Sequence, residues 1–534
     1  MTAGTLFING KFPPGIANTH TQVDAVYVED GMIREIGRAA DLKLQLSSQT
    51  YRIIDWNGAY VLPGLADSHM HLGMHGMKLT MLDFSAATSK AEMLQLLTER
   101  ARLTPEGEWI LGLNWNENNF SPAVAPTIEE LDAVTDRHPV YLTRTCFHAF
   151  LANTEAFRRA GITDQTPEPA SGAFGRGEDG RLNGWIYEEA CQPFIKVQPE
   201  PDYTAKKNAL RVACQDALRL GLTAAHTEDL RFIGSLETML QIHRELQEEG
   251  LHFRTHQLVY HTFLDEAESL GIKAGHGDEW LKIGAAKIFS DGAIGGRTAY
   301  LLEPYSDAPH TQGMAIQPLE RLNEITRRAR SLGYPIAVHA IGDAAADMTL
   351  RAMETHPLTK EFPLPDRLIH AQVLNRALVD RMTRLHLAAD IQPRFVPSDF
   401  PWVMERVGKE RTEYLYAWKK LLQAGIACAG GSDAPIEPLN PFLGLHAAVT
   451  RRQPGTDFEG FLPEEKLSID ESIRLFTVGS AQAAGDEHVR GAIKPGMAAD
   501  FTVVDRDISM DSEELLRVQV QMTVVNGKAA YSAS

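Results

Sequence analysis

A chain of 534 residues, 44% hydrophobic and 23% charged, carries enough apolar material for one large core and a smaller domain, which excludes a disordered or fibrous protein. Its 52 basic and 70 acidic residues leave a formal charge of −18, so neither nucleic acid nor an anionic membrane is an expected partner, and a small-molecule substrate is. No stretch has the apolar length to span a bilayer, the first residues lack a basic and then apolar leader, and Cys146, Cys191, Cys214 and Cys428 show no paired spacing. A reduced, cytoplasmic protein is expected, with neither disulfides nor a cysteine zinc site.

Residues 5 to 62 alternate apolar and polar around Asn9-Gly10, Asp30-Gly31 and Asn57-Gly58, dipeptides suited to hairpin turns. This predicts a small antiparallel sheet. The C-terminal stretches KPGMAADFTVVDRD and VQVQMTVVNGKAAY repeat the pattern. Both ends together, residues 1–62 with 489–534, therefore predict one β-sandwich domain enclosing a long middle.

That middle, residues 63–488, begins with VLPGLADSHMHLG. Side chains two apart on a strand share a face, so His69 and His71 can converge on one metal ion. A detour follows at about 78–200: TSKAEMLQLLTERARLTP reads as a helix, WILGLNWNENNF as strand and loop, HPVYLTRTCFHAF as a strand, and 161–184 as loop. It predicts an inserted subdomain after the first barrel strand, overhanging the site.

From 205 onward, strand and helix patterns alternate. Predicted helices are 205–220, 235–249, 263–272, 318–332, 343–355, 375–385 and 411–424; the strands are LTAAH, FRTHQLVYH, LKIGAAKIF, PIAVH, RLIHA, LAADIQP and IACAGGSD. With residues 65–69 that makes about eight β/α units, a (β/α)8 TIM barrel with its active site at the carboxyl ends of the strands. There the polar residues gather: His69, His71, His226, His261, Lys287, His339, His370, Gln392 and Asp433.

The motifs KIFSDGAIGGRT, VHAIGDAA, IHAQVL and GGSDAP, in this order, resemble the amidohydrolase superfamily, and within it the N-substituted formamide deformylase-like (YtcJ-like) branch. The resemblance covers both ends and the barrel. It implies a binuclear zinc site with two Zn2+ per chain: His69 and His71 on one ion, His339 and His370 on the other, a carboxylated lysine bridging them, and Asp433 on the first. Lys287 is the better candidate for the bridge than Lys282, because their odd spacing puts them on opposite faces and Lys287 is nearer the carboxyl end of its strand. Its amine can add carbon dioxide to give a carbamate, and burial supplies the lowered pKa this needs.

The activity implied is hydrolysis of a carbon–nitrogen bond in a non-peptide amide or N-substituted formamide by a metal-bridged hydroxide, with Asp433, Lys287 and His339 as catalytic residues. An ester or lactone hydrolase, or a non-catalytic binding or regulatory protein keeping the fold, are the alternatives. Each residue also has a structural reading: a hydrogen-bonded pair for His69 and His71, an ion pair with Asp291 for Lys287, and a cap in the SDAP turn for Asp433. Trp115, His148, His226, Arg297 and Asp343 are candidate substrate contacts, set against packing for Trp115, a core role for His226 and a helix cap for Asp343. A homodimer is the expected assembly.

Overall fold

The computed structural model describes residues 4–13, 23–145, 148–169, 172–359, 362–509 and 511–533. Its contacts divide the chain into two compact units, Met1–Met74 with Ala213–Ser534, and His75–Val212.

In the first unit, β1 (Gly4–Ile8), β2 (Ala25–Glu29), β3 (Met32–Gly37) and β4 (Tyr51–Asp55) form one four-stranded sheet in the order β3-β2-β1-β4. The expected all-antiparallel sheet is corrected here, because β4 lies parallel to β1, with Leu6 opposite Ile53. Asn57 and Gly58, both at positive φ, turn the chain out of β4, and the next strand, β5 (Tyr60–Pro63), joins the C-terminal sheet instead. Phe7, Trp56, Val61, Phe501 and Val524 pack into one core shared by the two sheets, Phe7 stacking on Trp56 at 5.0 Å.

The chain then enters β6 (Leu65–Met70), buried along its whole length. The second unit holds a six-stranded sheet of β7 (Leu82–Asp83), β8 (Ile110–Trp115), β9 (Val140–Arg144), β10 (Ala149–Ala152), β11 (Gly172–Arg176) and β12 (Leu182–Glu188). Residues 161–184, read as loop from their glycines and prolines, contain β11 and the start of β12, which pair antiparallel with a register shift between Phe174 and Arg176. Glycine lowers strand propensity but tolerates such irregular pairing.

Back in the first unit come β13 (Leu222–Thr227), β14 (Arg254–Tyr260), β15 (Leu281–Phe289), β16 (Ile336–Ala340), β17 (Asp366–His370), β18 (Leu387–Ile391) and β19 (Ala427–Gly430). With β6 they form an eight-stranded parallel sheet in the order β19-β18-β17-β16-β15-β14-β13-β6. Helices cross between them, as Leu236–Glu248 does with Leu236, Met239, Ile242 and Leu246 buried and Ser235 Oγ accepting from Thr238 N at 3.2 Å. The expected helix 411–424 is shorter, a 3-10 turn at Lys409–Arg411 and a helix at Trp418–Gln423.

The two end strands, β6 and β19, meet through side chain and turn rather than a ladder. The Asp67 carboxylate accepts from His69 N at 3.0 Å and from Ser432 N at 2.9 Å; Asp433 N donates to His69 O at 2.7 Å and His71 N to Ala434 O at 2.8 Å. The barrel seam is thus stitched by the segments that carry three candidate ligands. The last strands, β20 (Phe501–Val504), β21 (Val520–Val525) and β22 (Lys528–Ser532), complete the second sandwich sheet in the order β22-β21-β20-β5.

The fold expected from the pattern of elements is therefore the fold observed: a (β/α)8 barrel with a β-sandwich from both chain ends. Among the described residues no helix is long and apolar enough to cross a membrane. Cys191, Cys214 and Cys428 are free and buried, and Cys146 lies outside the described residues.

Candidate metal centre

At the end of β6, His69 and His71 project to one side, their rings 5.4 Å apart. Both Nε2 atoms lie 3.5 Å from Asp433 Oδ1, and the ligand atoms of all three residues fall within 4.8 Å of one another. Asp433 follows β19 with φ 60, a left-handed conformation uncommon outside glycine that turns its carboxylate toward the histidines. The SDAP turn itself is held by Ser432, whose Oγ accepts from Ala434 N at 3.0 Å.

Lys287 is buried on β15, and its Nζ donates to His69 Nε2 at 3.1 Å. Two residues on, the Phe289 ring lies 4.8 Å from the same Nζ and 5.1 Å from the His339 ring. His339 and His370 stand edge to face at 4.5 Å, and His370 is 5.6 Å from His69. His370 also sits at positive φ, 76°. The four histidines, the lysine and the aspartate are therefore one buried cluster, built from the ends of β6, β15, β16, β17 and β19.

Electrostatics suit these groups to a cation. Burial holds His69 and His339 well below the ordinary imidazole range and His370 down to about 4, so their ring lone pairs stay open at neutral pH. Burial also depresses His71, but the Asp433 carboxylate outweighs it and the net shift is upward. Asp433 is raised by burial yet ends below its usual value through the His71 hydrogen bond and the charges of His370, His71 and Lys287. Lys287 is pushed down to about 7 by burial, against the opposing Asp433 and Glu228 carboxylates.

Neighbouring groups fix the ring orientations. His71 Nδ1 donates to Glu228 O at 3.0 Å and His370 Nδ1 to Gln392 Oε1 at 2.7 Å, which leaves Nε2 as the nitrogen each ring can offer to a cation. His339 Nε2 donates to Gly292 O at 3.1 Å and lies 3.5 Å from Asp291 Oδ1. Asp291 is otherwise engaged by the backbone N–H groups of Tyr300, Ile341 and Gly342 at 2.9 to 3.1 Å, not by Lys287. Gln392 is among the strand-end residues the sequence singles out; Glu228 and Asp67 are not, and Asp291 figures there only as an ion-pair partner for Lys287. The available signal was acids set in buried strand ends, Asp67 in ADSHMH and Glu228 in HTEDL.

The candidate substrate contacts fare differently. Trp115 is fully buried in the second unit, packed on Trp185 at 5.3 Å with its indole N–H on Leu142 O, so it is a core residue. His148 is 69% exposed and bonded to Glu188. Arg297 closes on Asp307 within its own loop at 2.6 Å. Asp343 starts helix Asp343–Thr355 and accepts from Leu302 N at 2.8 Å, fastening the loop after β15. His226 turns away from the cluster: it pairs in register with His256, the third residue of β14, and takes a hydrogen bond from Arg490 at 3.2 Å. His261 lies in a short 3-10 turn, half-buried.

Parallel strands closed into a barrel, with histidines, a lysine and an aspartate gathered at their carboxyl ends, define a metal-dependent hydrolase. The chain belongs to the amidohydrolase family, whose model matches residues 52–531. It is 41% identical over 519 residues to the YtcJ protein of Bacillus subtilis, covering 96% of this chain and 97% of that protein. It is 26% identical over 527 residues to the N-substituted formamide deformylase of Arthrobacter pascens, covering 95% and 94%. Among solved structures it is similar to an uncharacterized metal-dependent hydrolase from Pyrococcus horikoshii, with a TM-score of 0.76 at 30% identity over 96% of this chain and 99% of that one.

Proposed function

We propose that this protein hydrolyses a carbon–nitrogen bond of a non-peptide amide or N-substituted formamide, as the name of its Arthrobacter pascens relative states for that enzyme. The observation that carries the reading is Lys287: a buried amine lowered to about 7, 3.1 Å from a histidine that shares its cluster with Asp433. His69, His71 and Asp433 would hold one divalent ion, zinc on this reading, and His339 with His370 a second. Bound there, the metal supplies Lewis-acid activation of water at neutral pH.

The remaining steps belong to the chain. Neutral Lys287 Nζ would add carbon dioxide, forming an N–C bond as one C=O bond opens and passing one proton to solvent, which would leave a carbamate with two oxygens able to bind cations. Asp433, ionised at neutral pH, accepts the proton of the attacking water at its carboxylate and returns it to the departing nitrogen. Burial around these groups excludes bulk water and strengthens each charge interaction. The cytoplasm and a homodimer complete the proposal.

A screen of amides, N-substituted formamides, esters and lactones with zinc-loaded protein, read by product detection, tests this. Turnover of at least one amide or formamide, absent in His69→Ala, is expected. Turnover confined to esters or lactones would overturn the bond assignment, and none at all would favour a binding protein.

A further inference from the structure

Arg231 follows β13 in the short helix Leu230–Ile233, three residues after Glu228. The Glu228 carboxylate is fully buried and takes Arg231 N at 3.1 Å on one oxygen and Arg231 Nε at 2.6 Å on the other. The guanidinium lies over Phe289 at 4.3 Å and Tyr260 at 5.5 Å. Phe289 is the ring that also meets Lys287 Nζ and His339. Arg231 is thus held beside the candidate centre by Glu228, just after β13, and lies near Tyr260 of β14 and Phe289 of β15.

With Nε engaged, its two terminal nitrogens have no hydrogen-bond acceptor among the described residues, and the side chain is 41% exposed. They present parallel N–H bonds along one edge of a guanidinium held by Glu228 and lying over Phe289. That edge matches the two oxygens of a carboxylate, a match a lysine ammonium cannot make. The chain carries a formal charge of −18, so an anionic substrate gains nothing from the overall field and needs a local cation.

We propose that Arg231 is a specificity-determining residue that binds a carboxylate on the substrate, so that the class hydrolysed is an amide or formamide bearing a free carboxylate, such as an N-acyl amino acid. This rests on the hydrolase reading above. Glu228 serves it as a positioning residue, holding the guanidinium while its backbone oxygen orients His71.

The test uses N-formyl and N-acetyl amino acids, each paired with its neutral carboxamide, on metal-loaded wild type, Arg231→Gln and Arg231→Lys, with folding and metal content checked for each. For the acids Arg231→Gln should raise KM by about 10- to 100-fold with kcat little changed, while the carboxamides shift by less than about threefold. Arg231→Lys should recover part of the loss. Equal effects on acid and carboxamide, or a wild-type enzyme indifferent to the carboxylate, would overturn the proposal. Calorimetric binding of N-acetyl amino acids to metal-loaded Asp433→Asn, with and without Arg231→Gln, separates the two readings. Binding that depends on Arg231 sustains the carboxylate site even if no amide is hydrolysed, and binding that ignores Arg231 removes it even if amides are.

Discussion

Both ends of the barrel hold histidines and a lysine of the same strand, and they differ in how the charges are matched. At the amino end, Lys282 Nζ meets Asp486 at 2.5 Å and Ala484 O at 3.0 Å, Arg490 reaches Asp486 at 3.2 Å, and Arg254 grips Asp500 at 2.7 and 3.1 Å. His226 and His256, 4.9 Å apart, are buried against this network. At the carboxyl end Lys287 has a histidine as its hydrogen-bond partner, and a single carboxylate, Asp433, lies 3.5 Å from both His69 and His71. The first arrangement satisfies its cations internally and is a structural ion-pair network. The second gathers four imidazoles around an amine that is hydrogen-bonded to a histidine and, among the described residues, to no carboxylate, a set that a metal and carbon dioxide can occupy.

Substitutions at the two ends should therefore separate activity from stability. The largest effect is expected at the carboxyl end: His69→Ala or His339→Ala should lower kcat/KM by about a thousandfold or more, over about 4 kcal/mol in barrier, in a protein with unchanged circular dichroism. The matched change at the other end, His226→Asn, should keep activity within about tenfold. If His226→Asn is as damaging as His69→Ala, the division between the ends fails.

Next is Asp433→Asn, which should keep more metal than His69→Ala yet lose about a hundredfold or more in rate, because an amide offers an oxygen but accepts no proton at neutral pH. Near-normal rate with normal metal would move proton transfer to another group.

Smaller still is Lys282→Met, which should cost about 1 kcal/mol in urea denaturation and leave turnover intact, since the pair is partly exposed and Asp486 keeps Arg490. Loss of turnover at full stability would contradict a purely structural role.

The subtlest expectation is a pH slope in chelator-treated protein. Folded Lys287 titrates at about 7, below its ordinary 10.5, because burial disfavours the ammonium. Between those values the unfolded chain binds the proton that the folded chain lacks, so stability rises with pH across that window. The penalty is full below 7 and gone above 10.5. Thermal melts should show this rise in wild type and lose it in Lys287→Met; an unchanged slope in the mutant would assign it to other groups.

Much of this was legible in the sequence because periodicity reports burial. LKIGAAKIF is β15 from first residue to last, and the odd spacing of its two lysines separates them as observed, one among histidines and one on Asp486. Pairing between distant strands was less legible. Nothing local in YRIID says that it lies parallel to β1, or that YVLP crosses to the other sheet. Strand ends also misled for His226, because the stagger of a barrel sets the end of β13 level with the beginning of β14, and a histidine late in its strand can still sit low in the barrel. Trp115 and Arg297 found partners within their own segments, contacts that residue type and loop position do not reveal.

The most direct test of the carboxyl-end centre is metal analysis of protein purified without chelator, combined with carbon-13 NMR after incubation with labelled bicarbonate. About two equivalents of divalent metal per chain and a carbamate carbon signal are expected, the signal absent and metal reduced in Lys287→Ala. A reproducible single equivalent unaltered by zinc and bicarbonate, or active and fully metallated protein with no carbamate signal, would contradict a centre bridged by Lys287.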